Sequence, residues 1–182
     1  MEYADFESML TRILALEFGD RDHELDASAL RLKEEMNARG VLTSTMTLGE
    51  LSNFFVAEFK ARCDLIAQHA IGKIGTVKPA EGSGKTPLDL FRSESKDQLA
   101  RLTAKFDAIA SPIRSGLQGA MPDEIRRTML QRMQDHMQRN DLMVELEHKA
   151  ATAAKPNEIF ALKPTFYGVG IDLRALWKRY FG

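Results

Sequence analysis

The sequence predicts an all-α protein: an antiparallel helical bundle with two to three long helices, followed by a short C-terminal extended segment and a helix. Apolar residues recur at steps of three and four over long stretches, and this spacing places side chains on one face of a helix. Helix start signals precede these stretches, and Gly or Pro follows them. Most connections are short, so consecutive helices are expected to pack antiparallel.

The composition fits a cytoplasmic protein with a sizeable core. The chain has 182 residues, and its net charge of −1 gives no overall attraction to nucleic acid or to an anionic membrane. Its single cysteine, Cys63, excludes an internal disulfide and fits a reducing compartment. The first residues carry acids where a signal peptide needs Lys or Arg. No apolar run approaches the roughly 18 residues of a membrane span.

Two helices are predicted before the central one. The first covers about Glu2 to Phe18 and ends at Gly19-Asp20, because Gly commonly follows a helix. The second runs from the candidate N-cap Asp26 to Arg39, with Gly40 in the left-handed position after it. Their apolar stripes are Tyr3, Phe6, Met9, Leu10, Ile13 and Leu14, and then Leu25, Ala29, Leu32 and Met36.

The central element is one long amphipathic helix from Thr47 to about Gly75. Thr47 and Glu50 have the spacing of a capping box at its start. Its stripe consists of Leu48, Leu51, Phe55, Phe59, Cys63, Ile66, Ala70 and Ile74. A helix of this length needs partner helices to bury such a stripe.

The next helix should begin at Thr86, because a Thr N-cap, Pro87 at the first position and Asp89 at the third coincide. Its buried face is interrupted by Ser95 and Gln98, which predicts that its first turns are the weaker part. Pro112 lacks an amide donor and is expected to end or kink the helix, with Ser111-Pro112 opening a new short one.

The last long helix should run from about Pro122 to Ala153. Its apolar side consists of Ile125, Met129, Met133, Met137 and Val144, broadened by Leu130, Leu142 and Leu146. Residues 88–118 and 122–153 are therefore predicted to form a coiled-coil-like hairpin. The methionine row is interpreted as core, with an adaptable binding surface as the alternative. Neighbouring arginines alternate with acids, which indicates a mixed solvated face rather than a phosphate site.

No catalytic, cofactor-binding or metal-binding residue is predicted. The stretch from Gly82 to Thr86 is similar to the end of a phosphate-binding loop, but the pattern requires Gly where Pro79 stands, so a linker is predicted. Glu145 and His148 supply only half of a di-metal helical motif. Cys63 lies on an apolar stripe and is predicted to be a buried structural thiol.

The tail differs from the rest in texture and defines the predicted organisation: residues 1–155 as a helical bundle and 156–182 as an aromatic-rich docking segment. Extended stretches are predicted at residues 159–162 and 166–171, and a helix from Asp172. The predicted partner-binding residues are Phe166, Tyr167, Arg174, Trp177, Lys178 and Tyr180. Dense aromatics favour an interface. The alternatives are a tail that completes the core and a C-terminal helix that contacts a membrane surface.

These observations favour a non-enzymatic helical protein-interaction module that binds a protein partner or associates with itself as a homodimer. The first alternative is a helical-bundle enzyme or small-ligand-binding protein with a pocket between helices. A nucleic-acid-binding regulator is a further alternative, disfavoured by the near-zero net charge. The sequence does not identify the partner or the biological process.

Overall fold

The protein is an all-α helical bundle, as predicted. The computed structural model describes residues 1–80, 82, 84–117 and 119–153, and the backbone of residues 165–166 and 169–170. Its helices are α1 (Tyr3–Ala38), α2 (Thr45–Ile71), α3 (Pro87–Ser115) and α4 (Met121–Ala153). The chain divides into two units, Met1–Ala151 and Thr152–Gly182. None of the helices in the described part combines the length and apolar character that a membrane span requires.

The first unit has an up-down-up-down arrangement, which side-chain pairs between helices establish. Lys78, just after α2, pairs with Glu2, whereas Glu58 within α2 pairs with Arg21, so α1 and α2 run antiparallel. Between α2 and α3, Phe55 contacts Phe106, and Arg62 bonds Gln98. Between α3 and α4, Arg92 pairs with Asp141 and Asp107 with Arg126. Residue numbers rise on one helix as they fall on the next, so the predicted antiparallel order is confirmed.

The helix α1 is continuous, and the predicted break at Gly19-Asp20 is wrong. Phe18 and Leu25 are both buried, so the apolar stripe passes across the glycine without losing its contact with the core. A glycine inside a helix costs about 1 kcal/mol relative to alanine, and burial of the two flanking side chains outweighs this. The end of α1 matches the prediction: Gly40 has φ +70°, and Val41 N–H donates to Met36 across it at 2.9 Å.

The start of α2 lies two residues before the predicted one. Its N-cap is Ser44, whose hydroxyl accepts from the amide of Thr47 at 3.2 Å. Thr47 is not the cap, because its own hydroxyl donates to the carbonyl of Val41 at 2.7 Å. The helix ends at Ile71 rather than near Gly75. The predicted stripe is confirmed from Leu48 to Ala70.

The helix α3 begins at Pro87 with Thr86 as N-cap, as predicted. The Asp89 carboxylate accepts from the Thr86 amide at 2.8 Å and from its hydroxyl at 2.7 Å. The prediction of a new short helix at Ser111-Pro112 is wrong, because α3 continues through Pro112 to Ser115. The missing amide of Pro112 removes one backbone hydrogen bond, and only three residues of α3 follow the proline.

The helix α4 begins at Met121, one residue before the predicted start. Met129 and Met133 are fully buried, which confirms their interpretation as core. Leu142 and Leu146 are exposed, so the prediction that they broaden the buried side is wrong. In the second unit, Thr165–Phe166 pairs antiparallel with Val169–Gly170. The extended stretch predicted at 159–162 and the helix predicted from Asp172 lie outside the described residues.

Candidate functional site

A buried ion-pair network centred on Arg62 joins three helices. The Arg62 side chain has no exposed surface. Its Nε donates to Glu58 at 2.7 Å and its Nη2 to Asp22 at 2.9 Å. Its Nη1 donates to Gln98 at 3.0 Å, and its guanidinium lies 5.1 Å from the centroid of the Phe18 ring. The planar guanidinium thus bonds α1, α2 and α3 simultaneously. We call these residues the Arg62 network.

Further cations surround the two carboxylates of the Arg62 network. Arg21 donates to both oxygens of Glu58, at 2.9 and 2.8 Å, and Arg101 pairs with Asp22. Burial acts to raise the pKa of Asp22. The hydrogen bond from Arg62 and the charges of Arg62 and Arg101 outweigh burial, so the pKa lies below its usual value. Asp22 is therefore held as an anion, and the contacts of Asp22 and Glu58 each bridge two or more helices.

A second buried cluster, the Cys63 cluster, consists of Cys63, Asp64, Ser95, His136 and Asn140. Asn140 Nδ2 donates to Cys63 Sγ at 3.5 Å and to Asp64 Oδ1 at 2.7 Å. The same Asp64 oxygen lies 2.6 Å from His136 Nε2, and Cys63 Sγ donates to Ser95 at 3.8 Å. The cluster connects α2 to α3 and to α4 through polar contacts at the edge of the apolar core.

The Cys63 cluster has the residue types of a thiol nucleophile site but not its electrostatics. Burial raises the pKa of Cys63 to about 11, so the thiol is neutral at physiological pH. The cluster histidine bonds Asp64 rather than the sulfur. Cys63 is fully buried, which confirms the predicted buried thiol. Its role here is a structural hydrogen bond between helices.

The prediction that Ser95 and Gln98 interrupt the buried face of α3 is wrong, whereas the weakness of its first turns stays a prediction. Both are buried, and each bonds a polar residue of α2: Ser95 the Cys63 sulfur and Gln98 the Arg62 guanidinium. The burial of Arg62 and Asn140 was not predicted from the sequence. The sequence contains one signal of this burial, because Arg62 and Asn140 each lie next to apolar residues of a helical stripe. Most of the residues to which they bond are distant in sequence and could not be identified.

Ion pairs also occupy the surface between α3 and α4. Arg92 donates to both oxygens of Asp141, at 2.6 and 3.1 Å, beside a groove whose volume is about 210 Å³. Phe91 and Met137 line this groove with four polar residues. Arg126 of α4 donates to both oxygens of Asp107 of α3 at 2.7 Å. Glu145 pairs with Lys149. In the described part of the chain, no three His, Cys, Asp or Glu side chains are grouped to hold a metal ion.

On both α1 and α4, several large apolar side chains are exposed to solvent. On α1, Met9, Leu16 and Leu30 are exposed, Leu16 by 76%. An open depression lined by Met9, Ile13 and Leu16 lies on this side, with Asp5, Ser8 and Arg12 around it. We call this exposed side of α1, which includes Met9, Leu16 and Leu30, the α1 outer face. On α4, Leu142, Met143 and Leu146 are exposed, Leu146 by 66%, and form the α4 outer face.

The predicted partner-binding residues of the tail are untested. For Phe166 the structure describes the backbone only, in the strand Thr165–Phe166. The other five, Tyr167, Arg174, Trp177, Lys178 and Tyr180, lie outside the described residues. Their assignment to a partner stays a prediction.

Comparison of the chain with protein-family models, with curated protein sequences and with solved structures gave no significant match.

Proposed function

We propose that the chain is a non-enzymatic helical interaction module that binds a protein partner or a second copy of itself. The observation that carries the proposal is the exposure of large apolar residues in rows on α1 and α4, with Leu16 and Leu146 the most exposed. Contiguous exposed apolar surface is typical of protein interaction sites. The single buried thiol fits a reducing compartment, so we place this activity in the cytoplasm.

The internal polar residues support the same proposal. Among the described residues, every buried side-chain nitrogen or oxygen has a hydrogen-bond partner. The charged groups of the Arg62 network bond one another and hold helices together, as does the Cys63 cluster. Polar groups that serve catalysis need access to substrate, whereas Arg62 and Cys63 are fully buried. The groups open to a partner are those on the helix exteriors.

The test compares each outer face with a matched surface control. Leu16→Glu and Leu146→Glu each place a charge on one outer face, and Thr128→Glu places the same charge at an exposed position of α4 that belongs to neither face. Light scattering and sedimentation measure self-association. Affinity capture followed by titration with the identified, purified partner measures binding. We expect at least one outer-face variant to weaken association tenfold or more while the control does not. The proposal is wrong if all three proteins associate alike.

The tail is proposed as a further binding element through its predicted aromatic and basic residues. Truncation before Asn157 should remove partner binding or self-association while the cooperativity and midpoint of thermal unfolding stay unchanged. Unfolding or aggregation of the truncated protein would assign the tail to the core instead. Unchanged folding, assembly and binding would exclude a docking role for the tail.

A small-ligand site is the alternative, and the groove beside Phe91 and Met137 is the observation that favours it. Its volume of about 210 Å³ lies below the range of about 300–1,000 Å³ that is usual for ligand pockets. Met137→Trp would fill the groove. A ligand that raises the melting temperature of the wild type but not of Met137→Trp would favour this alternative.

A further inference from the structure

The side of α1 that points away from the core is a continuous row of exposed residues. The row consists of Asp5, Met9, Arg12, Leu16, Asp20, His23, Ala27 and Leu30. The steps between them are three or four residues, so they share one helix face. Phe6, Leu10, Leu14 and Phe18 are buried on the opposite side. The row therefore contains both apolar and charged residues, and no other described part of the first unit packs against it.

We infer that this row pairs antiparallel with the same row of a second copy, with Leu16 on the two-fold axis; the inference rests on the proposed function and names its partner. In such a pair, residues equidistant from Leu16 lie at the same level on the two helices. Arg12 of each copy then lies level with Asp20 of the other. The two-fold axis creates this ion pair twice.

Charge complementarity supports this arrangement. Arg12 and Asp20 are exposed, and neither has an ion-pair partner among the described residues. They lie eight residues apart on one helix, which separates them by about 12 Å along the axis and prevents pairing within the copy. The antiparallel register satisfies both charges at once. It also places the most exposed leucine of the row between the two ion pairs, where its own symmetry mate covers it.

Packing supports the same register. Gly19 lies level with Ile13 of the second copy, and a Cβ built on Gly19 meets no atom within 4 Å. Gly19 therefore adds no side chain that would obstruct the contact between the two rows. Met9 of each copy lies level with His23 of the other copy, so this contact brings no two charges of the same sign together. The contact from Asp5 to Ala27 is about 35 Å long.

The size of the contact sets its expected strength. One helix against one helix over this length buries less than about 1,200 Å² in total, which is typical of weak association. We therefore expect a dissociation constant on the order of 10–100 µM, measurable by sedimentation between about 5 µM and 1 mM protein.

A charge-swap experiment tests the register. Arg12→Glu and Asp20→Arg should each weaken dimerisation about tenfold, because each replaces two ion pairs by two contacts of like charge. The double variant restores opposite charges and should associate within about threefold of the wild type. Arg127→Glu and Glu147→Arg make the same changes in net charge at exposed positions of α4 and should have no effect.

Cysteine cross-linking tests the axis independently. The wild type is a silent background, because its only thiol, Cys63, is buried. Under mild oxidation Leu16→Cys should give a covalent dimer, since the two sulfurs meet at the axis. Leu30→Cys is the matched control. In the proposed register its two sulfurs lie about 42 Å apart along the axis and should not cross-link.

The outcomes separate this inference from the proposed function. A wild type that stays monomeric at 1 mM, a double variant that is not restored, or cross-linking at Leu30→Cys overturns the α1 pairing. A captured partner helix that binds the wild type but not Leu16→Glu, without dimerisation, also overturns it and leaves the interaction module intact. The proposed function fails only if variants of both outer faces leave every association unchanged.

Discussion

Replacement of Arg62 by alanine should destabilise the bundle by about 3–5 kcal/mol, because it removes one partner from a buried ion pair. The Arg62 side chain has no exposed surface and bonds Glu58, Asp22 and Gln98 at 2.7–3.0 Å. Two partly buried carboxylates lose a cation, the Gln98 carbonyl loses a donor, and a cavity opens beside Phe18.

Two features place the expected value near the lower end of that range. Glu58 keeps its two bonds to Arg21, and Asp22 keeps its pair with Arg101, so neither anion is left without a cation. Arg62→Met fills most of the same volume without charge. It should cost about 1–2 kcal/mol, mainly from the unsatisfied Gln98 carbonyl. The difference between the two variants then measures the cavity.

Urea unfolding at pH 7, followed by circular dichroism at 222 nm, gives these free energies of unfolding. Arg101→Ala is the matched control. Arg101 pairs with Asp22 from an exposed position, so the loss should be below about 1 kcal/mol. If Arg62→Ala costs no more than Arg101→Ala at an unchanged m-value, the Arg62 network does not hold the helices together.

Three further predictions concern other positions. Burial acts to raise the pKa of Asp64, but hydrogen bonds from His136 and Asn140 hold this pKa below its usual value of 3.8. The ionised Asp64 carboxylate therefore stabilises the fold above pH 3.8, and this stabilisation is lost as the pH falls through the folded-state pKa. Urea unfolding between about pH 5 and pH 2 should show a steeper loss of stability in the wild type than in Asp64→Asn, and equal slopes would contradict this. Gly19→Ala should add about 0.5–1 kcal/mol in the same assay, since the new methyl group meets nothing within 4 Å, and a loss would count against a regular helix there. Cys63 should react with Ellman's reagent at pH 8 only as fast as the protein opens; a reaction as fast as that of the urea-unfolded chain would show that the thiol is accessible.

Features determined by neighbouring residues could be predicted from the sequence. The start of α3 depends on Thr86, Pro87 and Asp89, which lie within four positions, and the structure has it where predicted. The stripe of α2 depends only on helical periodicity, and its predicted members from Leu48 to Ala70 are all buried. The Gly40 turn is a third local signal, because a left-handed residue closes α1 whatever the rest of the chain does.

Features that depend on distant contacts could not be predicted. At Gly19 the local cost is about 1 kcal/mol, whereas each buried large apolar side chain is worth about 1.5–3 kcal/mol. The sequence shows the glycine but not that Phe18 and Leu25 are both covered by other helices. Arg62 and Asn140 illustrate the same limit. Their partners Asp22 and Cys63 lie 40 and 77 positions away in sequence, and only the assembled bundle brings them together.

On α4 the apolar stripe was predicted correctly, but the extent of its burial was not. Leu142 and Leu146 have helical spacing with the α4 stripe, so the sequence predicted a broad buried side. The first unit covers only the part around Met129, Met133 and Val144. Periodicity gives the width of an apolar stripe but not how much of that width the neighbouring helices cover. The uncovered remainder is the surface that we propose for partner binding.

The Arg62 network and the α1 outer face meet at one level of α1. Asp22 bonds Arg62 on the inner side, between Asp20 and His23 of the outward row. The inner contact fixes the rotation of α1 about its axis and thus the direction in which that row points, so a variant of the inner network acts on association through folding. A variant of the row itself changes exposed side chains, whose contribution to the free energy of unfolding is usually within about 0.5 kcal/mol. A substitution at Asp22 should therefore lower the stability, whereas one at Asp20, only two residues away, should weaken association. This separation requires α1 to be held in one rotation about its axis.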